Sequence, residues 1–388
     1  MFAHESYDAL VVGARCAGAA TAMLLARKGW RVLVIDRGHY GADTISTHAL
    51  MRGGVLQLHR WGVLPRLHEA GTPPVYEATF HYGDDAIMVR VMPSHGVDAL
   101  YAPRRTLLDS TLVCAAAEAG ATVRYGHTLV ELTHHSDGRV IGGVICDSEG
   151  RTAQIEANLV IGADGAGSIV ARLAGAETLR EAQRTTGILY GYFLGLKLTG
   201  YHWWYRPGIG IGAIPTNGSH HCVFAAISPQ TLRDGLRRVD RRTMLNTVLH
   251  QADADLGEQV AASDTDEPIN VFSGRTGFIR QPCGRGWALV GDAGYFKDPI
   301  TAHGITDALR DAELLANAAS AGELEQYHRV RDALSRSLFE TTDAIAGLDW
   351  DLDQLRALHQ TLNQAMKQEV QHLLTLPNQH QARTEENV

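Results

Sequence analysis

The chain has 388 residues, enough for one large or two moderate domains with ample core. Its formal net charge of −8 leaves no basic face, which argues against nucleic acid and anionic membrane as partners. Apolar residues make up 45% and charged residues 20%, as in ordinary soluble globular proteins, and no run of about 18 apolar residues marks a membrane span.

The N-terminal apolar run is about six residues long and begins a strand, so no secretory signal is read there. Cys16, Cys114, Cys146, Cys222 and Cys283 are scattered and form no C-x-x-C. They read as buried or free thiols in a reducing cytosol, and a cytoplasmic location is expected. The 19 histidines show no H-E-x-x-H or similar spacing, and no metal site is expected.

In chain order, Tyr7–Val12 reads as a buried strand and Gly13 as a tight turn. A helix follows from about Ala17 to Lys28, stopped by Gly29, and a second strand, Arg31–Ile35, ends in Asp36. This is a βαβ unit with a glycine turn at a helix N-terminus. Such a terminus offers unpaired N–H groups and a positive dipole end to a pyrophosphate, and an acid ending the second strand can hold a ribose. In G-x-G-x-x-G spacing the glycines are Gly13 and Gly18, with Arg15 in the middle place. The Arg15 side chain must point away, or lie over the phosphates as a counter-charge.

A polar loop leads to helix 52–61. From Val75 to Val91 the period changes to two around Gly83-Asp84-Asp85, a β-hairpin. Helix 106–119 follows, with Leu107, Leu108, Leu112, Val113 and Ala116 on one face, then strand 122–125 and a hairpin over 128–146. Leu159–Ala163 is a buried strand running into Asp164-Gly165-Ala166-Gly167-Ser168. Residues 187–228 are strand-like, aromatic and glycine-rich, and 233–254 are helical. Val271–Ile279 and Gly286–Val290 read as strands, the second running into Gly291-Asp292-Ala293. Helices fill most of 305–376, and a polar, frayed tail begins at Pro377.

Three glycine–aspartate elements thus end buried strands: GARCAG…DR at 13–37, GADGAGSIVAR at 162–172 and GDAGYFKDPITAHG at 291–304. Ligands bind at such strand ends in α/β sheets. In this order the three resemble the FAD-dependent aromatic hydroxylase superfamily, of the p-hydroxybenzoate hydroxylase fold, which also includes flavin halogenases and geranylgeranyl reductases. The resemblance covers Tyr7 to about Ala319. It implies an α/β fold: a Rossmann-like FAD-binding domain (1–74, 96–175 and 270–325), a discontinuous β-rich substrate domain (75–95 and 176–269) and C-terminal helices (326–376). The C-terminal helices would cover the core or make a homodimer contact.

The resemblance also implies roles. Gly13, Arg15, Ala17 and Gly18 would line the FAD pyrophosphate, and Asp36, with Arg37 beside it, would take the adenosine ribose. Arg105, at the start of an Arg-x-x-x-Asp helix, would touch the phosphates, with Arg104 the fallback and a solvated helix-start arginine the alternative. Asp164, in the second signature, would belong to the cofactor site near the pyrophosphate and the nicotinamide donor, ordering its turn more than doing chemistry. Gly291 and Asp292 would hold the ribityl chain and pyrophosphate. Pro299, Gly304 and Ile305 would meet the flavin, the helix after Gly304 aiming its N-terminus at the ring. The sequence departs from the pattern at Arg15 and at Thr301-Ala302-His303-Gly304, where hydroxylases often carry Gly-x-Gly. Phe296-Lys297-Asp298-Pro299 resembles the halogenase form, but the halogenase W-x-W-x-I-P signature falls on Gly210-Ile-Gly212-Ala-Ile214-Pro215, with both tryptophans replaced by glycine.

Tyr190, Tyr192, Trp203, Tyr205 and Ile214 are candidates to line a pocket for a flat, apolar substrate. Alternate strand residues share a face, so about half of the aromatics in 187–228 can point inward, and the others are sheet core. His48, on the loop after the first βαβ unit, and His303 are the candidate general bases; ordering of the loop is the alternative role for His48. The implied reaction is hydroxylation of an aromatic small molecule through a C4a-hydroperoxyflavin, with FAD, NAD(P)H and O2. Rival readings are a flavin reductase of the geranylgeranyl reductase type, a halogenase, or a non-catalytic flavin-binding protein.

Overall fold

The computed structural model describes residues 5–263, 265 and 267–377. Apart from Pro377, the expected frayed tail lies outside the described residues. The chain opens with β1 (Glu5–Val12), α1 (Cys16–Arg27) and β2 (Val32–Asp36), the expected βαβ unit. Then come α2 (Arg52–Arg60), α3 (Leu64–Glu69) and the hairpin β3 (Glu77–Tyr82) and β4 (Asp85–Arg90). Next are α4 (Arg105–Glu118), β5 (Thr122–Tyr125), β6 (His127–His134), β7 (Val140–Asp147), β8 (Thr152–Gly162) and α5 (Ile169–Leu173). A short β9 (Thr178–Glu181) precedes β10 (Gly187–Leu194), β11 (Tyr201–Arg206), β12 (Ile209–Pro215) and β13 (His220–Ile227). Helices α6 (Pro229–Leu236), α7 (Arg241–Ala252) and α8 (Ala254–Ala262) follow. Short strands β14 (Asn270–Phe272), β15 (Phe278–Arg280), β16 (Cys283–Gly284), β17 (Trp287–Leu289) and β18 (Tyr295–Phe296) lead to α9 (Gly304–Ala321), α10 (Leu324–Ala346) and α11 (Leu352–Thr375).

The first sheet runs β16-β17-β8-β1-β2-β5, with β7 and β6 attached through β8. Its centre is parallel, with Val12 beside Ile35 on one side and Gly162 on the other. That register brings the C-terminal ends of β1, β2 and β8 to one edge, where a nucleotide binds in such sheets. The first half of β8 pairs antiparallel with β7 and alternates exposed with buried residues. Its last four residues are buried on both faces and pair with β1 and β17. Sequence patterning marked only that buried half.

The second sheet runs β14-β10-β13-β12-β11-β3-β4. On one face Leu189, Phe193, Trp204, Ile211 and Val223 pack against Leu232, Leu245, Leu249 and Leu256 of α6–α8. The other face carries Tyr190, Tyr192, Trp203, Tyr205, Ile214 and Phe224, packed with Ile300, Ala302 and residues of α10 and α11. Strict alternation along each strand sorts the aromatics onto two faces.

Two expectations are corrected. The single strand 271–279 is two strands in different sheets: β14 ends the second sheet, while β15 joins β9 and β18 in a small third sheet. Gly274, with φ at +91°, turns the chain between them. The helical stretch 233–254 is broken at Asp240 and continues past 254 as α8. Asp240 and Asp253 accept N–H hydrogen bonds from the next helical turns, so each starts a helix of its own. The C-terminal helices cover the core: Leu338, Ile345, Leu355, Leu362 and Ala365 join the aromatic cluster. Among the described residues no helix is long and apolar enough to cross a membrane.

Candidate functional site

The cradle at the end of β1 is shaped by close approach. A Cβ on Gly13, whose φ is +109°, would stand 2.4 Å from the Ala163 carbonyl oxygen, and one on Gly18 would stand 1.8 Å from the Gly13 carbonyl oxygen. Only glycine permits both contacts. Arg15 precedes the first residue of α1 with extended backbone, and its guanidinium donates to the Asp43 carbonyl (3.1 Å). The side chain thus points away along the loop that follows β2. Asp36 accepts from the N–H groups of Ala14 (2.8 Å) and Gly38 (2.7 Å), which fixes the turn around the acid; Arg37 is exposed beside it. Helix α1 has no side-chain cap and no acid in its first turn, so its positive end is uncompensated within the helix.

Arg105 is buried at that end. It grips Asp109 by two donors, Nη2 to Oδ2 at 2.9 Å and Nε to Oδ1 at 3.2 Å, while Cys16 N–H donates to Asp109 Oδ1 (3.1 Å). Arg104 turns the other way, ion-pairing with Glu267 and placing its guanidinium 3.3 Å from the Tyr192 ring centroid. Asp292 lies near Arg105; its crowded, low-dielectric surroundings push the carboxyl up to about 6, against the opposing pull of Arg105. Gly291 is wedged between α1 and α9: its Cβ would lie 3.1 Å from that of Ala17 and 3.2 Å from that of Ala308. Asp164 accepts from the Ser168 hydroxyl (2.5 Å) and the Ile169 N–H (2.6 Å), and Ser168 caps α5. Asp164 is therefore the organiser of its own turn.

Asp298 accepts from the Thr186 N–H (2.7 Å) and hydroxyl (2.8 Å), tying the Pro299 turn to the start of β10. Ala302 follows with φ at +49°, a left-handed conformation that costs an alanine about 1 kcal/mol. Gly304 begins α9. It is exposed between buried neighbours, and a Cβ there would meet nothing within 4 Å, so the backbone is open to close approach by a ligand. Ile305 is buried in the core beside it.

Across the aromatic face the register sets three rows: Tyr192–Cys222–Ile214, Tyr190–Phe224–Gly212–Trp203, and Ile188–Ala226–Gly210–Tyr205. Phe224 explains one of the two missing halogenase tryptophans, because a Cβ on Gly212 would stand 2.2 Å from the Phe224 ring. Tyr205 lies at the far end, against Trp350 and His359. His48 lies over the first row. Its ring stacks on Tyr192 with centroids 5.4 Å apart, and its Nε2 is hydrogen-bonded to the Tyr192 hydroxyl. The backbone is left-handed (φ +66°), and Nδ1 is buried with no partner. Burial, helped by the charges of Arg105 and Arg104, pulls His48 down to about 3, so the imidazole is neutral. Burial likewise keeps Tyr192 protonated. The His48 loop is pinned to the same face by the Ser46 N–H, which donates to the Tyr190 hydroxyl (3.2 Å).

His303 takes a different place from that expected of a general base. It is fully buried with Nε2 hydrogen-bonded to Glu369 Oε2 of α11 at 2.8 Å, inside a cluster of charges behind α9. There Arg310 donates to Asp307 (3.0 Å), Asp311 (2.8 Å) and Glu369 (3.0 Å), and Lys297 pairs with Asp307. His303, Asp307 and Glu369 have the right atoms for a metal, within 4.8 Å of one another. Each carboxylate already holds a cationic partner, so the cluster reads as an ion network. Sequence reasoning missed Arg310 and Glu369; the available signal was an apolar helix bearing Asp307, Arg310 and Asp311 at i, i+3 and i+4.

These residues fit FAD. The glycine cradle and Arg105 suit a pyrophosphate, the open Gly304 admits a ring, and two buried ring nitrogens, His48 Nδ1 and His303 Nδ1, lack partners. A family model described as "FAD binding domain" matches residues 6–342. Menaquinone reductase of Mycolicibacterium smegmatis is 27% identical over 348 residues, spanning 82% of this chain and 78% of the relative. Digeranylgeranylglycerophospholipid reductase of Methanothrix thermoacetophila is 27% identical over 340 residues, spanning 81% and 79%. In structure, PqsL of Pseudomonas aeruginosa in complex with 2-aminobenzoylacetate superposes with a TM-score of 0.79 at 17% identity, over 92% of this chain and all of that one. The flavin-dependent halogenase CmlS gives 0.76 at 18%, over 87% and 63%. At these identities the structural likeness speaks for the fold alone.

Proposed function

The chain belongs to the FAD binding domain family and is an FAD-dependent oxidoreductase, and from that premise we propose that it reduces a carbon–carbon double bond in an extended apolar molecule of isoprenoid type. The observation that carries this reading is the His48–Tyr192 pair. Both groups are buried, neutral and bonded to each other. Bound FAD supplies the electrons. The chain must then supply a proton and exclude water. With His48 donating from Nε2, the Tyr192 oxygen accepts and its own O–H is free to donate to a substrate carbon. A histidine held this weakly basic is poorly suited to ionise a phenol. Tyr190, Trp203, Phe224 and Ile214 supply apolar walls that keep water away. Two relatives that span about four-fifths of the chain are named for reduction of a menaquinone and of a geranylgeranyl lipid, which supports an isoprenoid substrate.

Hydroxylation of an aromatic compound with O2 and NAD(P)H is the second reading. The aromatic lining and the fold likeness to PqsL favour it. Anaerobic mixing separates the two. Protein with photoreduced flavin is mixed with a polyprenyl quinone or prenyl lipid, and the visible flavin band is followed. Return of the band without oxygen, with a saturated bond in the product, is the expected result. Return only with oxygen, with an oxygenated product, would establish hydroxylation instead.

A further inference from the structure

The ion network behind α9 is not used by the proposed chemistry, yet it reaches the flavin site from both sides. Glu369 stands on α11, 66 residues beyond His303 in the chain. One of its oxygens takes the His303 Nε2 and the other takes Arg310 Nη1 (3.0 Å). Arg310 continues to Ser335 of α10 (2.9 Å) and to Asp311, whose other oxygen accepts the Gly291 N–H (3.2 Å). An unbroken run of bonds therefore joins the C-terminal helices to the third glycine–aspartate element. At its other end, His303 Nδ1 is buried without a partner, next to the open Gly304. Ile300 and Ala302, just before it, belong to the aromatic cluster with Tyr190 and Tyr192. The start of α9 thus lies where the dinucleotide cradle and the aromatic face meet.

We propose that Glu369 is a positioning residue for FAD: it holds the Nε2 side of His303 so that Nδ1 stands free toward the flavin at the start of α9. The inference rests on FAD binding and not on which substrate is reduced. A carboxylate on one ring nitrogen fixes the tautomer and the orientation of the other. Glu369 also sets a buried negative charge at the flavin end of α9. Although burial alone raises its carboxyl, the hydrogen bond with His303 and the charge of Arg310 hold it below the ordinary range, so it is ionised.

The test uses the full-length protein loaded with FAD, comparing wild type, Glu369→Gln and the control Glu340→Gln. Glu340 forms an exposed pair with Arg180 on α10 (2.7 Å) and touches nothing at the site. Dye-coupled reduction gives the flavin potential, and fluorescence titration gives FAD affinity. Glu369→Gln removes a buried negative charge and loosens the hold on the His303 ring, so the potential is expected to rise and FAD to bind about tenfold more weakly, with the control unchanged. A folded Glu369→Gln protein with wild-type potential overturns the proposal, even if its melting temperature falls. If Glu369→Gln does not fold, His303→Asn decides by the same measure. It breaks the His303 contact and leaves Glu369 paired with Arg310, and a wild-type potential there overturns the proposal equally.

Discussion

Helices α1 and α9 make the same offer to a ligand and are built in opposite ways. Each starts at a glycine–aspartate element, and neither has a side-chain cap. The α1 end is made mostly locally, from Gly13, Gly18 and Asp36 within one βαβ unit, with backbone contact from Ala163 and Gly291 and side-chain help from Arg105 and Asp109. The α9 end is held from behind by charged and polar groups drawn from three helices and a loop: Asp307, Arg310, Asp311, Glu369, Ser335 and Lys297. One helix end is secured by backbone contact, the other by side chains far apart in sequence.

The largest expected effect breaks the α9 side. Arg310→Met leaves three buried carboxylates short of a cation and should cost about 3–5 kcal/mol, read as a lower urea midpoint. On the α1 side, Arg105→Ala should weaken FAD binding about 10- to 100-fold, by loss of charge-assisted bonds. Unchanged affinity would remove Arg105 from the phosphate site.

Two buried carboxyls of the site titrate in opposite senses. Asp292 has its folded carboxyl raised to about 6 from 3.8, so its ionisation opposes folding above pH 6 and the opposition fades as pH falls toward 4. Glu369 is shifted downward, so its contribution is present above the ordinary carboxylate range and is lost as pH falls below it. Stability of the FAD-free protein in Asp292→Asn should lose the gain between pH 6 and 4 and keep the loss at lower pH.

This contrast explains what was legible. The α1 cradle was readable because Gly13, Gly18 and Asp36 obey local spacing rules. The sorting of Tyr190, Tyr192, Trp203 and Tyr205 onto one face followed from strand alternation. Glu369 was invisible, because its meaning comes from packing across 66 residues of chain. The strand 271–279 was misjoined for a related reason: β-rich composition does not say which sheet each half enters. The bond from His303 to Glu369 was not legible, because position next to a flavin motif does not tell what holds a ring from behind.

Smaller effects sharpen the same comparison. Ala302→Gly relieves the left-handed backbone before α9 and should stabilise by up to about 1 kcal/mol, seen as a higher melting temperature. Arg15→Gly, on the α1 side, breaks only the bond to the Asp43 carbonyl. It should fold normally and change FAD affinity by less than about twofold, because the side chain points away from the cradle.

The most direct test of two separately built ends is a pair of calorimetric titrations of Glu369→Gln, one with ADP and one with FAD. ADP reaches only the α1 cradle, whereas FAD spans both ends. The account predicts wild-type ADP affinity and weakened FAD affinity. Equal weakening of both ligands would contradict it, since the α9 network would then support the whole fold and not the flavin end alone.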